Sequence, residues 1–187
     1  MAGLPHYRNS RTSINNFEPL YMAHFEVILT PPAALQSGFD LVMENVLTVG
    51  GLETNRMPTV IEQKYKSATR SFAGGMVDAT TASLTLDFEV NLNDNNSAFV
   101  YKTLRQWCDI IYDPLTGRMG MKKDYIGGPM VVSWFNKQGD IFYQWKFATV
   151  FPETALSSPS TLDYNSNDAF KIEGFTLRAD YWDETIL

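Results

Sequence analysis

Two histidines, one cysteine and 21 carboxylates are the groups from which this chain could build a reactive centre. His6 lies in a polar stretch near the start, and His24 stands between Ala23 and Phe25 in an apolar run. Neither has a second histidine at ligand spacing, there is no HExxH, and a G-x-S-x-G elbow that could recruit one of them is missing. A single cysteine, Cys108, excludes an internal disulfide and any multi-cysteine metal site. It falls on an apolar stripe at helical spacing, the setting of a small core residue. Asp109 and Asp113 are one helical turn apart, and Asp87 and Glu89 share the polar face of a strand. Acid–base work needs burial that drives two such pKa values apart, and both pairs fall on faces that the pattern leaves wet. The glycine pairs Gly50-Gly51, Gly74-Gly75 and Gly127-Gly128 match neither a P-loop nor G-x-G-x-x-G and read as turns. No catalytic, cofactor-binding or metal-ligating residue is therefore assigned.

The elements around these groups are mainly β. Tyr21–Leu29 reads as a first strand stopped by Thr30-Pro31-Pro32, and Phe39–Val49 as a second ending at Gly50-Gly51. Residues 53–80 read as a long loop or extended hairpin. Leu84, Leu86, Phe88, Val90 and Leu92 then alternate with Thr85, Asp87, Glu89 and Asn91, a half-buried strand. Asn93-Asp94-Asn95 offers N-cap chemistry to a helix over 94–111, whose stripe is Val100, Leu104, Trp107, Cys108 and Ile111. A long Gly-containing connection spans 113–129. Met130–Phe135 and Asp140–Val150 form a hairpin around Asn136–Gly139, with Ile141, Tyr143, Trp145, Phe147 and Thr149 on one face. In the last strand, Ala169–Trp182, Phe170 and Ile172 hold one phase while Phe175, Leu177, Ala179 and Tyr181 hold the other. Gly174 marks a β-bulge between them. The sum predicts a β-sandwich or open barrel with one packed helix.

At 187 residues the chain suits one domain, 19–187, preceded by a polar arm over 1–18. The arm is either a frayed terminus or a segment that orders on a neighbour. Charged residues are 19% of the chain, below the usual ~25%, and the net charge is −6. Duplex binders gain affinity by displacing counterions with Lys and Arg, so an acidic chain without a basic run is a poor DNA binder. It is still compatible with a surface that DNA slides past. Met1–Arg8 has no apolar core of the secretory type, and no stretch approaches the ~20 apolar residues of a membrane span. The expectation is a soluble product with no membrane binding of its own.

Motifs near the end carry a resemblance. A strand closes on Phe151-Pro152, a polar loop follows, and the loop ends in Leu162-Asp163-Tyr164-Asn165-Ser166-Asn167-Asp168. The final strand closes on Leu177-Arg178-Ala179-Asp180-Tyr181-Trp182-Asp183-Glu184. These segments resemble the tail tube family of contractile-tailed phages, whose fold is similar to that of the haemolysin-coregulated protein of type VI secretion. Phe39–Leu52 is similar to the family's second strand and glycine-bearing turn, and Leu84–Leu92 with the helix ending around Trp107 follows the family's order. The resemblance covers residues 20–185 in element order, with its specific motifs after Phe151. The arm before Phe17 and the connection from Tyr112 to Pro129 are longer than in well-known members.

The resemblance implies a structural subunit and not an enzyme: hexameric rings, without cofactor, stacked into a tube through whose lumen DNA is ejected. Implied partners are further copies of the chain, a tail sheath protein, a baseplate tube initiator, and the tape-measure protein and phage DNA that pass through the bore. The implied location is the virion tail, assembled in the host cytoplasm. Within the 53–80 segment, Met57, Ile61, Tyr65, Phe72 and Met76 would reach the next ring; the alternative is a mobile surface loop. Asp87, Glu89 and Asn91 would face the lumen or a neighbour, where acidic side chains keep DNA from adhering. A baseplate tube initiator, or the inner tube of a related injection machine, is the alternative assembly. A monomeric β-sandwich binding sugars on Tyr143 and Trp145 is the alternative of another kind.

Overall fold

A strand whose apolar and polar residues alternate can bury one face completely. In the computed structural model β5 (Ala82–Glu89) does so, with Leu84, Leu86 and Phe88 fully buried. The structure describes residues 20–35, 39–53, 60–74, 81–91, 98–156, 158–159, 162–165 and 167–187. The polar arm, Asn93–Asn95, Met57 and Met76 therefore lie outside the described residues.

Around β5 the chain builds one six-stranded antiparallel sheet in the order β1-β8-β9-β10-β5-β2. Its other strands are β1 (Phe25–Leu29), β2 (Val46–Gly50), β8 (Met130–Phe135), β9 (Ile141–Pro152) and β10 (Lys171–Ile186). The sheet curls into a nearly closed barrel, which decides the choice between sandwich and open barrel. The β8–β9 turn forms as its residues demand. Asn136 Oδ1 accepts bonds from the backbone N–H of Gln138 (2.8 Å) and Asp140 (2.9 Å), and Gly139 takes φ 89°.

The bulge expected at Gly174 is present. Its φ is 69°, and the register of β10 on β5 shifts between Ile172 and Phe175, both buried. Asp87 Oδ1 accepts the Gly174 N–H at 2.8 Å, holding the extra residue in place. A Cβ at Gly174 would meet nothing within 4 Å, so any substitution there is penalised by backbone conformation alone. Gly174→Val should accordingly cost about 1–3 kcal/mol in urea unfolding with an unchanged m-value.

A second change of face lies where none was expected. Phe147 and Val150 are both fully buried although three residues apart, and their cross-strand partners Trp182 and Ala179 are buried too. Thr149 lies between the first two with φ 52° and donates through Oγ1 to Asp180 Oδ2 at 2.9 Å. Asp180 also pairs with Lys122, and that bond, then Thr149's, holds its carboxyl below the usual carboxylate range. Because β9 and β10 exchange faces together, Thr149 leaves the row of Phe147. Tyr181, expected inside, is 55% exposed while Trp182 takes its place in the core.

Three further expectations are corrected. Phe39–Glu44 is helix α1, and only Val46–Gly50 is strand. Phe39 and Val42 are buried and Met43 packs on the core, the i, i+3, i+4 spacing of a helix. The first strand begins at Phe25, because the Tyr21–His24 segment is a turn in which the His24 N–H reaches Tyr21 O at 3.4 Å. Helix α2 spans Phe99–Ile111 and has Ala98, in a left-handed conformation with no side-chain cap, at its N-cap position. Its stability thus comes from packing: Val100, Leu104 and Trp107 are buried, and Trp107 meets Phe39 edge-on at 5.7 Å. The 113–129 connection also holds structure, namely a small hairpin of β6 (Tyr112–Asp113) and β7 (Arg118–Met119), then the short helix α3 (Lys122–Tyr125).

Candidate assembly surfaces

The titratable residues weighed for chemistry are held in structural roles. Asp109 forms an exposed i, i+4 ion pair with Arg105 at 3.3 Å. Asp113 accepts from Thr116 Oγ1 at 2.6 Å and Leu115 N–H at 2.9 Å, bonds that pin the β6–β7 turn and lower its pKa. These two carboxylates are thus engaged separately. His24 is exposed in the turn before β1, its ring 5.7 Å from that of Tyr21. Burial pushes the Cys108 thiol above its ordinary pKa, the opposite of nucleophile activation. Alkylation of Cys108 at pH 7.5 should run at least about tenfold slower than that of a free thiol and recover on unfolding in urea. Among the described residues no group of three metal-ligating side chains is found, and no helix is long and apolar enough to cross a membrane.

Where chemistry is sparse, surfaces are distinctive. Residues 60–74 form a hairpin of β3 (Val60–Tyr65) and β4 (Ala68–Ala73), hydrogen-bonded to each other and not to the main sheet. All twelve strand residues are exposed. Ile61 lies opposite Phe72, and Tyr65, four residues from Ile61, lies on the same face. Their exposures of 51%, 49% and 68% place three large apolar side chains together in solvent. An isolated two-stranded hairpin is at best marginally stable in water, and a contiguous apolar face on one marks a contact surface. Of the five residues expected to reach a neighbour, the structure brings Ile61, Tyr65 and Phe72 together.

The polar set on β5 behaves differently. Both Asp87 oxygens are engaged inside the subunit, one by the Gly174 N–H and one by Thr48 Oγ1. Asn91 Nδ2 donates to Asn45 Oδ1 at 2.8 Å. Glu89 is half-buried opposite Lys171. Asp87 and Asn91 thus tie β5 to its neighbouring elements, a role that alternation alone does not reveal.

Open backbone edges form the remaining surface, which sequence reading did not locate. Among the described residues β1 and β2 are the end strands of the sheet, and β10 pairs with β5 only from Lys171 to Ala179. Beyond Ala179, β10 continues to Ile186 in register with β9, from Tyr181 opposite Ala148 to Ile186 opposite Tyr143. Exposed strand edges are templates for pairing with another chain.

No protein-family model matches the chain, and no curated protein matches it. Solved structures do. A chain of the anti-feeding prophage cap, the tube terminating cap, is 20% identical with a TM-score of 0.58, over 91% of this chain and 93% of that one. A chain of the PVC sheath–tube complex, an extracellular contractile injection system in its extended state, is 20% identical with a TM-score of 0.55 over 95% and 100%. One from the PVC sheath/tube terminator is also 20% identical, with a TM-score of 0.55 over 91% and 99%. The chain has the fold found in tube and tube-terminating components of contractile injection systems.

Proposed function

We infer that the chain is a structural subunit of a contractile tail tube, forming hexameric rings that stack around a lumen through which DNA is ejected. The observation that carries this reading is the β3–β4 hairpin, which exposes Ile61, Tyr65 and Phe72 outside the main sheet. The end strands β1 and β2 of the described sheet support it, since ring closure removes edges that are an aggregation liability in a lone subunit. The hairpin reaches the next ring, and the partners are further copies, a sheath, a baseplate initiator, and a tape-measure protein and DNA in the bore. The particle is a tail, assembled in the host cytoplasm, and its work is geometry and not catalysis.

A second reading, a ring that terminates or starts a tube in a related injection machine, is favoured by the similarity to a tube terminating cap and a tube terminator. Negative-stain microscopy of the purified chain separates the two: long hollow tubes support the first, and single rings that do not elongate support the second. A 21.2 kDa monomer at every concentration would remove both.

A further inference from the structure

The curled sheet leaves a cleft of about 1340 Å³ between β1 and β2, its end strands among the described residues. Leu47, Trp134 and Trp145 line it, the two indoles stacked with centroids 6.5 Å apart. Glu26, Glu44 and Glu53 line it as well, all three exposed, while no described Lys or Arg does. The volume exceeds the ~300–1,000 Å³ of a small-molecule site, and the walls are strands of five residues each. Such a cleft suits an apolar β element that carries cations.

The β3–β4 hairpin is such an element. Cross-strand partners share a face, so Ile61 with Phe72, Gln63 with Arg70 and Tyr65 with Ala68 lie on one side. Arg70 thus stands within the apolar face built by Ile61, Phe72 and Tyr65. Lys64 lies on the opposite face, and Lys66 lies in the turn with φ 52°. Against these three cations the hairpin strands have one carboxylate, Glu62. Each strand is six residues long, close to the five of the cleft walls. The hairpin does not fill the cleft of its own subunit: its twelve strand residues are all exposed, and none of them lines that cleft. Opposite charge on the two surfaces steers their encounter and selects against like-charged docking.

We propose that the cleft receives the β3–β4 hairpin of a second copy, with its apolar face on Leu47 and the indoles and Arg70 among the three glutamates. The inference deepens the tube reading and rests on it for where the second copy sits, in the next ring. Every copy then offers one hairpin and one cleft, a heterologous contact that repeats head to tail. The assembly is therefore polar, with free hairpins at one end and empty clefts at the other.

The test mixes two full-length chains, both Cys108→Ser, one with Gln63→Cys on the hairpin face and the other with Leu47→Cys in the cleft. Mild oxidation should give a disulfide-linked heterodimer as the main cross-linked product, far above what either chain gives alone. Glu26→Lys with Glu44→Lys and Glu53→Lys in the cleft chain should cut that yield at least about tenfold. Lys64→Glu with Lys66→Glu and Arg70→Glu in the hairpin chain should restore it. All six charge reversals fall at exposed positions, and far-UV circular dichroism verifies that each variant folds. A heterodimer yield no higher than either chain's own product, or one that charge reversal leaves unchanged, overturns the proposal. Tubes grown by the unmodified chain would in that case leave the tube reading standing. The heterodimer together with no ring or tube from the unmodified chain overturns the tube reading and leaves the docking in place.

Discussion

Ile61→Asp with Phe72→Asp is expected to give a folded subunit that no longer builds tubes. The two side chains face each other across the β3–β4 hairpin and are about half exposed, in a hairpin with no ladder to the main sheet. Removing them takes nothing from the core, so the free energy of urea unfolding should change by no more than about 0.5 kcal/mol. On the proposed tube reading, the same atoms are buried against the next ring. At ~25 cal/mol per Å² of apolar surface, losing two partly exposed large side chains and adding two carboxylates costs several kcal/mol per subunit. The concentration needed for elongation should therefore rise by at least about 100-fold, since each 1.4 kcal/mol is tenfold. Wild-type tube lengths by microscopy at wild-type concentration would show that the hairpin is not the stacking contact.

Trp107→Ala is expected to have the largest effect on the subunit itself. Trp107 is fully buried on α2, its Nε1 donates to Tyr125 O at 2.7 Å, and its ring packs edge-on against Phe39 of α1. It joins α1, α2 and the segment at Tyr125 into the core. Truncation removes its apolar contacts, leaves a cavity, and orphans a carbonyl. Large-to-alanine changes of this type cost about 3–5 kcal/mol, and the lost hydrogen bond adds about 1 kcal/mol. Against a domain stability of about 5–15 kcal/mol, that is a large fraction. Trp107→Phe keeps most of the ring and should lose far less. A urea-unfolding loss below 1 kcal/mol for the alanine variant would contradict this account.

Much of the β architecture was legible because burial and period agree. Leu84, Leu86 and Phe88 alternate without interruption, and one face buries. The slip at Gly174 was readable because an apolar row changes phase across a glycine. The slip at Thr149 was not, because nothing in Ala148-Thr149-Val150 announces a positive φ. It is imposed by pairing, since Val150 must meet Ala179 and Phe147 must meet Trp182. The helix at Phe39–Glu44 was misread as strand because it runs almost directly into the β-forming Val46-Leu47-Thr48-Val49, although Phe39, Val42 and Met43 keep helical spacing and Leu41, Met43 and Glu44 favour helix.

The surfaces divide in the same way. Clustering of Ile61, Tyr65 and Phe72 was foreseeable from a β-rich stretch between turn residues, whereas the hydrogen bonds that Asp87 and Asn91 make within the subunit were not.

The sequence by itself determined a mainly β chain with one long amphipathic helix and a bulge at Gly174. Each of these follows from local spacing and side-chain chemistry. Only the tertiary structure decided that one sheet curls until β1 and β2, its end strands among the described residues, face each other across a cleft, and that β9 and β10 exchange faces together at Thr149. Closure and edge exposure depend on which distant strands pair and in what register, and hydrophobic period, a local quantity, does not encode partners far apart in the chain.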